Sequence, residues 1–273
     1  MAVVGECKLC LRPAMKLQES HFLSAGIYKK LRDTNEKNPN PWMITEKNAV
    51  QISKQQKAYL LCSDCEERFS KHGENWVLAH CLRADGRFPL AEILASKVPA
   101  LSSPSSPTRV YNSASIHEIN ISALAYFATS IFWRGSIHGW NGDGSIPVNL
   151  GELKEQFRVY LTNADLKVFP QDCALWVIVR EGQEISRLTH PPVGGRQGNF
   201  HNYRFPMPGL GFVLAVGKNI SANDREKCFV RGRGNPIIVT SLLERFLMDG
   251  AVRMLGRALS GRKSIPKRVG RGT

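Results

Sequence analysis

The chain has 273 residues, 42% of them hydrophobic, and its 37 Lys and Arg against 23 Asp and Glu give a net charge of +14. That length suits one large or two modest domains with a sizeable buried core. No run of about 18 apolar residues occurs and the start lacks a basic then apolar segment, so neither a membrane span nor a signal peptide is expected and a cytoplasmic protein is.

From the N-terminus, the first chemistry-bearing signal is Cys7-Lys8-Leu9-Cys10, matched in kind by Cys62-Ser63-Asp64-Cys65. Four thiolates in two CxxC pairs supply the softness and the count of a closed tetrahedral zinc site, whereas two residues between cysteines is a poor span for a structural disulfide. Structural zinc on Cys7, Cys10, Cys62 and Cys65 is the expectation. Between Cys10 and Cys62 lie 51 residues, so an ordered insert must fit inside the finger, and Ser20-His21 falls within it. The remaining Cys81, Cys173 and Cys228 stand in apolar surroundings and read as reduced core thiols.

After the second knuckle, Phe69, Trp76, Val77, His80 and Cys81 fall at helical spacing and predict a helix over 65–83 that closes the zinc module. Residues 89–98 suggest a short further helix. The Pro/Ser-rich stretch 99–107 disfavours both helix and ladder and marks a linker. Beyond it, Ile121, Leu124, Ala125, Ala128, Ile131 and Phe132 predict an amphipathic helix over 117–134, with Tyr126, Phe127, Phe132 and Trp133 in the core. A second helix is expected over 151–163, strands over 174–179, 211–216 and 236–240, and a final helix over 241–259. The expected architecture is α+β, with a zinc module over 1–98, a linker over 99–110, an α+β domain over 111–259 with its own core, and a basic tail over 260–273. The stretch 139–145 lacks the sixth-position glycine and terminal glutamate of a calcium loop and reads as a turn, while 194–198 and 231–235 lack the context and the lysine and serine of a P-loop and read as loops that carry an arginine.

Residues 253–273 carry seven basic side chains and no acidic one, half of the net charge. Arg257, Arg262, Lys263, Lys267, Arg268 and Arg271 are candidate phosphate contacts, able to release counterions from nucleic acid without reading its sequence. A solubilising tail is the alternative.

With two CxxC knuckles flanking a histidine, and a helix opening at the second knuckle, the first third of the chain resembles the HNH endonuclease family. The resemblance covers about residues 5–80 and implies a treble-clef fold in which structural zinc flanks a ββα-metal site. It implies His21 as the general base, Glu66 and His72 as candidate catalytic residues on the helix, and a catalytic Mg2+ or Mn2+ beside the zinc. It further implies nucleic acid as the partner, DNA before RNA, no membrane partner, and a role against foreign DNA. Two departures stand out: Ser20 replaces the acidic metal ligand, and Lys57 stands where asparagine precedes the second knuckle. They favour the alternative, a non-catalytic zinc-containing nucleic-acid-binding or scaffolding protein.

Overall fold

The computed structural model describes residues 2–32, 40–44, 49–51, 55–83, 85–140, 144–163, 169–180 and 188–241. The expected final helix and basic tail lie outside the described residues.

The N-terminal part is a small sheet closed by a helix. Strand β1 (Val4–Gly5) pairs with β2 (Met15–His21). A short helix α1 (Ala25–Leu31) leads to β3 (Trp42–Ile44) and β4 (Ala49–Gln51), which pair with each other. Strand β5 (Lys57–Cys62) then returns antiparallel to β2, with a register shift at Gln18/Glu19 that sets Ser20 opposite Ala58 and His21 opposite Lys57. Alternation buries Leu17 and, past the bulge, Ser20 on the covered side of β2 and leaves Lys16 and Glu19 exposed. The predicted 65–83 helix forms as three joined pieces: α2 (Ser63–Phe69), a π-helical turn Ser70–Glu74, and α3 (Asn75–His80). Helix α4 (Pro89–Ala95) follows, with proline at its first position, where the missing N–H costs nothing.

The rest is built on a six-stranded sheet. Strand β6 (Thr108–Asn112) begins inside the expected linker, and Leu101 bridges to Val110 across its proline-rich loop. Helix α5 (Ile121–Ile137) starts where Asn120 Oδ1 accepts from the Ala123 N–H at 2.9 Å, the capping geometry that asparagine favours. Fourteen consecutive positions, Ala123 to Ser136, then lie buried, so α5 is covered on every side rather than amphipathic. Helix α6 (Leu153–Thr162) packs beside it through Leu153, Phe157 and Leu161. Strands β7 (Cys173–Arg180), β8 (Leu188–Thr189), β9 (Val193–Gln197), β10 (Phe200–Met207) and β11 (Leu210–Val216), helix α7 (Ala222–Lys227) and β12 (Pro236–Thr240) complete the chain order. The main sheet runs β6-β12-β7-β11-β10-β9; β12 and β7 are parallel, the other neighbours antiparallel. The fold is α+β.

The core shows no break at the linker. A single apolar cluster runs from Cys7, Leu61 and Phe69 through Phe127, Phe132 and Trp133 to Phe212 and Val239. Phe69 of α2 meets Trp133 of α5 edge to face, their centroids 6.1 Å apart. Helix α5 thus packs on the four-cysteine module through Trp133 and on the sheet through Phe127, which meets Phe212 at 5.6 Å. Among the described residues, no helix is long and apolar enough to cross a membrane.

Candidate metal centre and adjoining cavity

The two knuckles come together by backbone geometry. Cys7 N–H donates to the Arg12 carbonyl (3.0 Å) and Leu11 N–H to the Cys7 carbonyl (2.8 Å), a tight turn that needs a left-handed residue, Leu11, at φ 60°. Lys8 N–H donates to the Leu60 carbonyl at 2.9 Å and so docks the first knuckle on β5. The second knuckle straddles the strand–helix junction, with Cys62 ending β5 and Cys65 in the first turn of α2.

All four Sγ atoms lie within 4.8 Å of one another, and Cys10 Sγ is 3.9 Å from Cys62 Sγ. A tetrahedral zinc with bonds of about 2.3 Å needs sulfurs about 3.8 Å apart, so the group can hold a metal ion such as zinc. The sulfurs are free thiols, Cys7, Cys62 and Cys65 buried and Cys10 half-buried. A hydrogen bond from Cys65 holds the Cys7 thiol down at about 4, and Cys65 is correspondingly pushed up. Burial pushes Cys62 up as well. Arg12 closes the open side: its Nε donates to Cys10 Sγ (3.3 Å), and its Nη2 to Cys62 Sγ (3.5 Å) and Asp64 Oδ2 (2.5 Å). A guanidinium against two thiolates offsets the excess negative charge of a four-cysteine site.

Beside this centre, a cavity of about 280 Å³ is lined by His21, Ser24, Glu66, Ser70, Glu74 and Arg134, among others. His21 is carried there by the end of β2, half-buried. Desolvation first, then the positive charge of Lys57, holds its imidazole below the ordinary 6.5, and Arg134 adds to the same effect. Glu66 faces it from α2; burial pushes this carboxyl above the ordinary carboxylate range, against the pull of Arg134 and of neighbouring Ser20. No hydrogen bond of standard geometry forms between Ser20 and Glu66. Ser20 Oγ, Ser24 Oγ and Glu66 Oε1 are buried without a hydrogen-bond partner among the described residues. Glu74 closes the far side, tied to Arg134 at 2.6 Å.

The expected site residues thus separate. His21 and Glu66 share the cavity. His72 does not: it is exposed on the π turn and leans on Tyr126, with ring centroids 5.4 Å apart. Glu67 turns outward to Lys71 in a 2.6 Å exposed ion pair. Glu66 and Glu74, eight residues apart, would be about 12 Å apart along a straight α-helix; a π turn lies between them, and both line one cavity. Lys57 stands across from His21 and pairs with Glu19 at 2.7 Å. Arg257, Arg262, Lys263, Lys267, Arg268 and Arg271 lie outside the described residues. Sequence reading missed Arg134. The available signal was a lone charge in the apolar run Ile121–Ile137, since arginine is rarely buried without a partner. Comparisons with protein-family models, with curated proteins and with solved structures find no match.

Proposed function

We propose that the protein is an HNH-like, metal-dependent endonuclease built on a structural zinc, with His21 as general base. The observation that carries this reading is His21 itself: an imidazole kept neutral at the end of a β-hairpin, facing a buried carboxyl on the helix that opens at the zinc knuckle. Neutral imidazole can take a proton from water as the water oxygen bonds to phosphorus; the P–O ester bond breaks and the departing alkoxide is protonated by solvent. The four-cysteine centre is coordinatively closed and serves the fold. Glu66 Oε1, Ser20 Oγ and Ser24 Oγ, buried and without a hydrogen-bond partner among the described residues, suit a hard cation such as Mg2+ or Mn2+, which would supply Lewis-acid stabilisation of the phosphate. Nucleic acid as substrate accords with the net charge of +14.

One observation favours a second reading, a non-catalytic nucleic-acid-binding or scaffolding protein. The carboxylate of Glu74 is already taken by Arg134, and Ser20 offers only a hydroxyl where a carboxylate would ligate more strongly.

A cleavage assay on plasmid and single-stranded DNA, with and without Mg2+ or Mn2+, separates the two. His21→Ala should lower cleavage by about 10²–10⁴-fold while zinc content and DNA affinity hold. Wild-type protein that cleaves nothing with any metal, or a variant that cleaves equally well, puts the binding module first.

A further inference from the structure

Arg134 reaches His21 across 113 positions of sequence. Its Nη1 donates to the main-chain carbonyl of His21 at 2.9 Å, and its Nη2 to Glu74 Oε1 at 2.6 Å and to Ser130 Oγ at 3.3 Å. The guanidinium lies 4.9 Å from the centroid of the Phe69 ring, and only 2% of Arg134 is exposed. A cation buried to that degree on an apolar helix must be matched, and its partners are the two ends of the candidate site, the last residue of β2 and the last residue of the π turn.

The contacts continue past His21. The Phe22 ring packs on Trp140, centroids 5.2 Å apart, and on Phe205 at 6.3 Å. Phe22 N–H donates to the Gln56 carbonyl at 3.0 Å, the Gln56 side-chain amide donates to the Trp140 carbonyl, and Trp140 Nε1 donates to the Arg134 carbonyl at 2.7 Å. The loop of contacts closes on the residue where it began. The end of β2 is therefore held on both sides by groups far along the chain, Arg134 on one and Trp140 and Phe205 on the other.

We propose that Arg134 is the positioning residue of this site: it fixes the His21 backbone against Glu74, so that the imidazole meets the cavity in one place. The inference rests on the reading of His21 as general base. Five charged or titratable groups bear on the imidazole: Glu19 and Lys57 from the hairpin, Glu66 from α2, Glu74 from the π turn and Arg134 from α5. Without the guanidinium, the His21 carbonyl and Glu74 lose the group that joins them. A residue that served only the stability of the fold would not separate kcat from KM.

The experiment is NMR of the full chain, labelled at histidine, with the His21 ring resonance assigned by His21→Gln. At one pH, wild type should show a single His21 environment, Arg134→Gln should split or broaden it by removing the bond to the His21 carbonyl, and Arg134→Lys should restore it in part. On cleaved DNA, Arg134→Gln should lose about 10–100-fold in kcat with KM little changed, as displacement of a reacting group does, and Arg134→Lys should recover part of it. A His21 resonance left unchanged in Arg134→Gln overturns the proposal. If Arg134→Gln fails to fold, Glu74→Gln, which keeps the side-chain shape and loosens the other end of the guanidinium, carries the same readout, and an unchanged His21 resonance there overturns it. Absence of cleavage by wild type would overturn the nuclease reading alone, since the spectrum needs no substrate.

Discussion

Histidine 190 is 2% exposed. Nδ1 donates to the Pro191 carbonyl at 2.6 Å, which fixes the tautomer and leaves Nε2 a buried lone pair with no partner among the described residues. Burial lowers its pKa from 6.5, because a second proton would place an unpaired charge in the core. Below pH 6.5 the unfolded chain therefore binds a proton that the folded chain refuses. Stability that is whole above that pH is lost as pH falls, by at most about 1.4 kcal/mol per unit for this group. His21, lowered in the same direction, adds to the slope. Urea midpoints followed from pH 7 to about pH 5 should decline, and His190→Gln should flatten the decline even if it lowers the plateau. An unchanged slope would place the acid sensitivity elsewhere.

The π turn is the element on which the cavity depends. Gly73 sits within it against α5, where an added Cβ would lie 2.9 Å from Phe127 N and 3.0 Å from Phe127 Cα. The obstacle is backbone, so it cannot rotate away. Gly73→Ala should therefore cost about 1–3 kcal/mol, as overpacking does, and shift Glu74 from the cavity wall; thermal unfolding checks the first effect and the His21 resonance the second. This is also where sequence reading reached its limit. Phe69, Val77 and Cys81 declare a helix through their spacing, but a single π turn between Phe69 and Val77 leaves them apolar and helical, so the turn that ends at Glu74 was not legible. The strands at 174–179, 211–216 and 236–240 were, because buried β-branched runs between turn residues have little else to become. Helix α5 was found, yet its apolar stripe concealed that small residues such as Ala125, Ala128 and Gly135 let neighbours approach on the remaining sides. The four cysteines could be read directly, since ligand chemistry is written in residue type and spacing. Arg134 could not, because nothing local says which carboxylate 60 positions away will receive it.

At the scale of the molecule, the metal centre and the sheet share a core through α5, which ties their stabilities together. Structural zinc contributes about 10–16 kcal/mol in small fingers and is inseparable from their folding. In Cys65→Ser the loss of metal should thus lower the unfolding transition of the whole described fold, not of residues 5–80 alone. Metal analysis with calorimetry tests both parts: less than half a zinc per wild-type chain removes the premise, and a separate, unshifted second transition in the variant removes the coupling.

Strand β6 is the first strand of the main sheet to leave the ribosome, and its sole neighbour in that sheet, β12, is the last. Thr108 waits for Thr240, and β7 keeps a bare edge until the same moment. Contacts this distant in sequence make closure slow and leave an unpaired strand exposed through most of synthesis. Helix α5, made between them, must meanwhile cover its apolar surface with what precedes it, and Phe69 of α2 is the partner already made for Trp133. The knuckle half of the chain is thus the surface on which α5 can be sheltered before the sheet exists.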